Sequence, residues 1–400
     1  MVIRLSMALR AKLSLTLVLV SLQIVVTSLA ASAANPDDGY PQGEPAPGRT
    51  CPNTDQGGTT VSKHSGKTLV CTLINGEKKW WIKGEALPTQ GQAATPAKST
   101  APEFKYTPKY KLSAKSIATM KISENVTFAS KSPAQHLDIY MPKGVSKPPL
   151  LIWIHGGGFV IGDEDFMKYD DSAKLLEVLI KNGVAVASVN YRLAQEAKFP
   201  AAGVDVKSAI RFLRANAAKY GYDSTKFATG GDSAGSYLAL MAAITGDQAS
   251  LFDDKTDPNK NVSAAITTVI DLFGNVDFLE MSANNAKYPC DQSKNPYPAA
   301  PGNIHPWFGD TTDQKVQADM KSAGLYPYLK SSKAIPNFFI FHGSDDCSVS
   351  TYDSKNLDKA VKALNGKSNL TIVPGEIHGG AGVWSAAMKA VPAIKKSLSK

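Results

Sequence analysis

One serine of this 400-residue sequence, with a glycine two residues before it and another two residues after it, is well placed to act as a nucleophile. Gly231-Asp232-Ser233-Ala234-Gly235 reads G-x-S-x-G, an apolar run (226–230) precedes it, and a helical pattern follows. Strand, sharp turn and helix in this order form a nucleophile elbow, which raises the serine hydroxyl at a helix N-terminus. The pentapeptide also occurs by chance, so an ordinary turn with a solvated serine is the alternative. We predict that Ser233 is the nucleophile.

A serine hydroxyl needs a base to take its proton, and the base needs an acid to orient it. In enzymes with a nucleophile elbow, the acid and then the histidine follow the serine along the chain. We predict that His378, in the loop after the last strand, is the base, and that His342 is a structural turn residue. For the acid, Asp345 and Asp346 compete within one loop, and Asp271 is an outside alternative.

A run of glycines follows another apolar strand, in His155-Gly156-Gly157-Gly158. Backbone N–H groups stabilise an oxyanion best when no side chain blocks the approach of the substrate. In a nucleophile elbow the other donor is the N–H of the residue after the serine. We therefore predict an oxyanion hole formed by Gly157, Gly158 and Ala234, with a glycine turn of no catalytic role as the alternative.

Apolar runs alternate with helical patterns over most of the chain beyond residue 110. The runs 149–154 and 184–189 are typical of parallel strands buried on both faces, and 202–220 has the spacing of one long helix. This alternation predicts an α/β fold, a mostly parallel, doubly wound sheet with helices on both faces. Residues 276–332, rich in Pro, Asn, Lys and Tyr, predict an irregular, lid-like insertion. A last helix, 383–398, is expected to break or kink at Pro392.

Several of these motifs together carry a family resemblance. They are His155–Gly158, Asn190–Leu193, Gly231–Gly235, Leu272–Gly274, His342–Val349 and Gly375–Gly379. The set resembles the α/β-hydrolase superfamily, in particular carboxylesterases of the hormone-sensitive-lipase-like and feruloyl- and acetyl-xylan-esterase-like branches. The resemblance implies an α/β-hydrolase fold and a serine ester hydrolase that forms an acyl-enzyme without metal or cofactor. It also selects Asp346, four residues after His342, as the acid.

The resemblance also covers scaffold residues, and this sequence departs from the family pattern at two positions. Arg192 fits the structural signature of the family, and we expect it to pair with a carboxylate, with Asp205 as part of the same scaffold. Ser236 stands where a second glycine is usual after the G-x-S-x-G pentapeptide. Asp346 is followed by a cysteine, Cys347.

The chain before the catalytic domain, which we place at 110–400, divides into four segments. Residues 1–34 have a basic start, an apolar run and an A-x-A site, typical of a secretory signal peptide; an uncleaved membrane anchor is the alternative. An exposed leader (35–50), a small Cys/Trp β module (51–83) and a flexible linker (84–109) follow. Trp80 and Trp81 would form either a sugar- or wall-binding platform or the filling of a small core, and we favour the core.

The four cysteines fit an exported protein, in which disulfides form readily. Cys51, Cys71, Cys290 and Cys347 allow three pairings. Proximity favours Cys51–Cys71 as a staple of the small module, which leaves Cys290–Cys347 to tie the insertion to the acid loop.

The net charge of +9 could favour acidic partners, but the sequence holds no nucleic-acid motif, so we predict a solvated basic surface and no nucleic-acid partner. We expect a secreted carboxylesterase that is not inserted in a membrane after signal cleavage and that acts on small-molecule or glycan-linked esters. A weak wall or polysaccharide association through 51–83 is a further expectation. Alternatives on the same fold are a lipase, an amidase or arylformamidase and an exopeptidase. The non-enzyme alternative is a wall- or glycan-binding protein with a hydrolase-like domain.

Overall fold

The computed structural model describes residues 51, 59–61, 68–74, 77–83, 108–288, 291, 293 and 305–398. The predicted signal peptide and leader, and residues 84–107 of the predicted linker, lie outside the described residues. The chain divides into two compact units, Met1–Phe104 and Lys105–Lys400. Within the described residues, no helix combines the length and the apolar character needed to cross a bilayer.

The first unit contains a small antiparallel sheet. Its strands, in spatial order, are β1 (Thr59–Val61), β2 (Thr68–Ile74) and β3 (Glu77–Ile82). The predicted disulfide between Cys51 and Cys71 is confirmed. Trp80 lies opposite Cys71 across the β2–β3 ladder and packs with Leu69 and both cysteines in a buried cluster. Trp80 therefore fills the core of a sheet too small to bury much apolar surface without a staple, whereas Trp81 is only partly buried.

An eight-stranded sheet forms the centre of the second unit. Its strands are β4 (Met120–Thr127), β5 (His136–Pro142), β6 (Leu150–Ile154), β7 (Ala185–Val189), β8 (Phe227–Asp232), β9 (Thr268–Leu272), β10 (Asn337–Gly343) and β11 (Ser368–Val373). They lie in the order β11-β10-β9-β8-β6-β7-β5-β4. The strands β6 to β11 pair in parallel, and β5 and β4 add an antiparallel edge. This arrangement confirms the predicted α/β-hydrolase fold.

Helices cover both faces of this sheet because successive strand side chains point to opposite faces and both sets are apolar. The helices are α1 (Ala114–Ile117), α2 (Asp170–Lys181), α3 (Ala201–Ala215), α4 (Ala217–Tyr220), α5 (Ala234–Thr245), α6 (Phe278–Lys287), α7 (His305–Phe308), α8 (Gln314–Ser322), α9 (Tyr326–Ser331), α10 (Thr351–Ala363) and α11 (Ala381–Leu398). On β6, Leu150, Ile152 and Ile154 share a core with α3, α5 and α10. Leu151 and Trp153 share the other core with α2 and α11.

Some boundaries differ from those predicted. The long helix expected over 202–220 is interrupted at Asn216, whose side-chain amide donates to the carbonyl of Phe212 and competes with the helical bonds. Pro392 does not break the last helix, which runs continuously from Ala381 to Leu398. Val391 and Ile394 on either side of the proline are buried, so packing outweighs the lost backbone hydrogen bond.

The predicted insertion, 276–332, is helical in much of its described part, where it forms α6 to α9. Its Asp and Pro residues account for this, because both start helices well. Asp277 accepts hydrogen bonds from the first turn of α6, Asp313 does the same for α8, and Pro327 lies in the first turn of α9. A role of this segment as a lid stays a prediction.

Candidate active site

The centre of the sheet brings two of the predicted motifs side by side. β6 lies between β7 and β8, so the chain leaves neighbouring strands in opposite directions and opens a crevice at their carboxyl ends. Ile154 at the end of β6 pairs with Gly231 of β8. The glycine-rich turn after β6 therefore lies directly beside the turn that carries Ser233.

Ser233 occupies a strained turn between β8 and α5. Its backbone has φ 51° and ψ −121°, a conformation that residues other than glycine rarely adopt. A Cβ on Gly235 would lie 2.2 Å from the carbonyl oxygen of Ile154, and one on Gly231 would lie 2.5 Å from the carbonyl carbon of Gly235. Only glycines therefore let this turn pack against β6, and the turn holds the Ser233 side chain partly exposed at the start of α5.

Ser233, His378 and Asp346 are joined by two hydrogen bonds. The Nε2 atom of His378 lies 2.9 Å from the Ser233 Oγ, and its Nδ1 lies 2.7 Å from Asp346 Oδ2. His378 lies in the loop between β11 and α11, Asp346 lies in the loop after β10, and both are buried. The edge of the Phe273 ring packs against the imidazole, with ring centroids 4.8 Å apart. This arrangement can pass a proton from the serine hydroxyl to the histidine.

The carboxylate of Asp346 accepts three hydrogen bonds and lies within ion-pair distance of a second imidazole. Its Oδ1 accepts the backbone N–H groups of Ser348 and Val349, both at 2.9 Å. Its Oδ2 lies near two imidazoles, His378 Nδ1 at 2.7 Å and His342 Nε2 at 3.1 Å. Burial alone would raise the pKa of Asp346, but the two histidines outweigh burial and hold this pKa well below its ordinary value. Asp346 is therefore ionised whenever the site works.

His342, predicted as a turn residue, lies instead in strand β10 and contacts Asp346. The sequence signal that could have indicated this contact is that His342 is the next-to-last residue of a buried strand and precedes Asp346 by four residues. The side chain is completely buried. Its Nδ1 lies 2.7 Å from the Ser354 Oγ on α10.

The two other candidate acids lie in different surroundings. Asp345 is half-buried, and its carboxylate accepts the Ser344 hydroxyl at 2.7 Å. Asp271 is fully buried, accepts the Ser236 hydroxyl and the backbone N–H of Gly274, and has a pKa raised by burial. Ser236, which replaces a glycine usual in the family, thus supplies a hydroxyl to a buried carboxyl beneath the turn.

The glycine-rich turn after β6 is fixed from several sides. Its Gly156 N–H donates to Asp232 Oδ1 at 3.2 Å, and the Tyr191 hydroxyl donates to the carbonyl of His155 at 3.0 Å. The His155 ring stacks on Tyr191 with centroids 4.3 Å apart, and burial lowers its pKa to about 4, so the ring is neutral. The turn is therefore held in place by residues from β8 and from the loop after β7.

Three N–H groups of the predicted oxyanion hole are left for a ligand. Gly157 and Gly158 have φ of 103° and 61°, and Ala234 begins α5. Within the described part of the chain, the N–H groups of these three residues find no backbone or side-chain acceptor. Unpaired amides attract negative charge, and the helix start at Ala234 adds to this attraction.

The insertion reaches this turn through Trp307 of α7. The indole stacks on Phe159, the residue after Gly158, with centroids 3.9 Å apart and an interplanar angle of 11°. Both rings are buried. The insertion therefore packs against the residue that follows the predicted oxyanion donors.

The described residues contain no cluster of three or more His, Cys, Asp or Glu side chains arranged to hold a metal ion. Cys347, next to Asp346, is disulfide-bonded. Its predicted partner, Cys290, lies outside the described residues, so that pairing stays a prediction.

Comparisons with known proteins give a family match and several distant relatives. Residues 137–361, more than half of the chain, match the family described as BD-FAE. Among curated proteins, Esterase LipC of Mycobacterium tuberculosis is 26% identical over 250 residues, which are 62% of this chain and 57% of LipC. The chain spans about half the length of the curated relatives it matches.

Solved structures give the same result. A truncated carbohydrate esterase from gut microbiota is 26% identical, with a TM-score of 0.61, over 73% of this chain and 100% of that one. A bifunctional GH43-CE protein of Bacteroides eggerthii is 25% identical, with a TM-score of 0.56, over 68% of this chain and 35% of that one. Both are similar to this chain in fold and in part of the sequence.

Proposed function

Since the chain belongs to the BD-FAE family, we propose that it is a serine carboxylesterase that cleaves ester bonds through an acyl-enzyme. The observation that carries the proposal is the pair of hydrogen bonds that joins Ser233 to His378 at 2.9 Å and His378 to Asp346 at 2.7 Å. A hydroxyl, an imidazole and a carboxylate in contact in this order support the proposal, because acyl transfer needs a nucleophile, a base and an orienting acid.

The reaction begins when the Ser233 Oγ attacks the carbonyl carbon of the ester and His378 Nε2 takes the hydroxyl proton. Asp346 stabilises the imidazolium without taking the proton. The tetrahedral intermediate then loses the alcohol, which leaves with the proton from His378, and the acyl group stays on Ser233. Water repeats the sequence on the acyl-enzyme, which releases the carboxylic acid and restores the serine.

Negative charge on the carbonyl oxygen is stabilised by the N–H groups of Gly157, Gly158 and Ala234. These donors are preorganised, because the backbone around them is fixed before substrate binds. Removing one such donor lowers turnover by ~10²–10³. The hydrogen bonds of Asp232 and Tyr191 to the glycine-rich turn favour this assignment of the donors, because they fix the turn before substrate binds.

Glycan-linked esters form the substrate class that we propose. Two solved relatives at 25–26% identity are described as a carbohydrate esterase and a GH43-CE protein. We also propose that the protein is secreted, which is supported by the signal-peptide pattern of residues 1–34 and is compatible with the Cys51–Cys71 disulfide.

A substrate panel tests these proposals on purified wild type and Ser233→Ala. The panel contains p-nitrophenyl acetate and octanoate, an acetylated xylo-oligosaccharide, methyl ferulate and p-nitroacetanilide. We expect wild type to hydrolyse p-nitrophenyl acetate and the acetylated xylo-oligosaccharide, and Ser233→Ala to hydrolyse none. Hydrolysis of methyl ferulate in addition would show that a feruloyl acyl group is accepted, whereas hydrolysis of p-nitrophenyl acetate without the oligosaccharide would contradict the glycan-linked class. Turnover of the anilide alone would favour an amidase, preference for octanoate would favour a lipase, and an inert folded wild type would contradict the proposed reaction.

A further inference from the structure

The ring of His342 has a defined protonation at one nitrogen. Its Nε2 lies 2.9 Å from the carbonyl oxygen of Val349 and 3.1 Å from Asp346 Oδ2. A carbonyl and an ionised carboxylate can only accept, so Nε2 carries a proton. It donates this proton to the Val349 carbonyl, and the same N–H lies at ion-pair distance from the Asp346 carboxylate. The Ser354 hydroxyl, 2.7 Å from Nδ1, can donate or accept and therefore fits both the neutral and the protonated ring.

This donor completes the fixation of the Asp346 carboxylate. Oδ1 is tied to two backbone N–H groups, of Ser348 and Val349, and Oδ2 is shared between His342 and His378. With Oδ1 anchored by two N–H groups and Oδ2 attracted by the N–H of His342 at 3.1 Å, rotation of the carboxylate away from His378 Nδ1 is opposed. The direction of its second oxygen is thus decided by a residue that touches neither substrate nor serine.

We propose that His342 is a positioning residue for ester hydrolysis, which acts through Asp346 to keep His378 in the tautomer that accepts the serine proton. The inference rests on the proposed function, because it concerns the same three reacting residues. A purely structural role differs from this one: it would need only the bond to Val349, which fastens the loop, and would be indifferent to the charge on Asp346.

Four ionisable groups face His342 or share its partner. Asp346 comes from the acid loop, Asp271 from β9 and Asp353 from α10, and His378 shares the Asp346 carboxylate. Burial would lower the pKa of His342, but the hydrogen bond and charge of Asp346, helped by Asp271, raise it. At low pH the protonated ring puts a second positive charge on Asp346, which weakens the support of Asp346 for the imidazolium of His378.

Two substitutions distinguish a positioning role of His342 through Asp346 from a purely structural role through the bond to Val349. His342→Gln places an amide N–H near the position of the ring Nε2 and removes the titration, and His342→Leu removes the donor at similar volume. We expect His342→Leu to lower kcat about 10- to 100-fold with KM unchanged, because a misdirected base slows chemistry and not binding. We expect His342→Gln to recover most of this loss. In His342→Gln the acid limb of the kcat/KM profile should move to lower pH and follow fewer protons than in wild type.

Melting curves show whether each variant is folded. Ser354→Ala, which removes the other partner of the ring and leaves Asp346 untouched, should lower kcat less than His342→Leu does. A folded His342→Leu with wild-type kcat overturns the inference, and so does equal loss in the Leu and Gln variants with an unchanged pH profile. Should His342→Leu fail to fold, the acid limb of His342→Gln decides, and an unchanged limb overturns the inference.

Ser233→Ala separates this inference from the proposed function. If Ser233→Ala still hydrolyses esters, the proposed function fails, whatever the His342 variants do. If Ser233→Ala is inactive and the His342 variants behave as wild type, only the positioning role fails.

Discussion

Replacing Asp346 by asparagine should disable the site while leaving its shape intact. The carboxylate contacts four N–H groups, and an amide has one oxygen and one NH₂ group. If the oxygen stays with the two backbone N–H groups, the NH₂ faces the N–H of both His342 and His378. His342 Nε2 keeps its proton for the Val349 carbonyl. His378 must then turn into the tautomer protonated at Nε2, which cannot accept the Ser233 proton.

The size of this effect follows from the loss of the productive tautomer. The corresponding change in serine-protease triads lowers kcat ~10⁴-fold, which is about 5 kcal/mol of activation free energy. We expect a fall of this order in kcat for p-nitrophenyl acetate, measured by initial rates, and little change in KM because Asp346 does not touch substrate.

Asp345→Asn is the matched control for this substitution. It makes the same change one residue earlier in the same loop, where the carboxylate is half-buried and accepts the Ser344 hydroxyl. We expect its kcat to stay close to that of wild type. The reasoning is refuted if Asp346→Asn, folded by its melting curve, keeps more than about a tenth of kcat, or if Asp345→Asn is the variant that loses activity.

Three further predictions concern the turn, a buried carboxyl and the scaffold. Gly157→Ala should lower kcat ~10²–10³-fold, because its Cβ would lie within 3 Å of the Ile161 carbonyl and displace an oxyanion donor; hydrolysis at wild-type rate would contradict this. Burial raises the pKa of Asp353 to about 8, so the folded protein keeps a proton on this carboxyl that the unfolded chain loses from about pH 4 upward. The stability of the fold therefore falls as the pH rises from about 4 to about 8. Asp353→Asn should therefore melt higher than wild type at pH 8 and equally at pH 4, and the reverse order would refute the assignment. Arg192→Lys should lower the melting temperature while preserving kcat, since lysine cannot reproduce the two-pronged contact of the guanidinium with Asp205; calorimetry and hydrolysis rates check both halves.

The fold was predictable because its signals are local. Strands buried on both faces appear as continuous apolar runs, as in 149–154, whichever helices cover them. The helices of the insertion were missed, because Asp277 and Pro327 start helices and also occur in irregular loops. The break between α3 and α4 at Asn216 depends on one side-chain hydrogen bond, which the hydrophobic periodicity of the sequence does not reveal.

The candidate site was predictable to the extent that it depends on backbone geometry. The turn around Ser233 needs glycines because Ile154 lies so close, and glycine spacing shows in the sequence. The choice between Asp345 and Asp346 depends on the path of the loop, so the residues alone left it open and only the family spacing selected one. The contact of His342 with Asp346 also depends on how the loop folds back over β10, and the sequence indicated no more than a turn residue.

Identifying the residue that a fluorophosphonate modifies is the most direct test of the central claim that Ser233 is the nucleophile. Peptide mass spectrometry of the inactivated protein should place the adduct on Ser233, in proportion to the activity lost. Complete inactivation with the adduct on another residue, or full esterase activity in Ser233→Ala, would contradict the account.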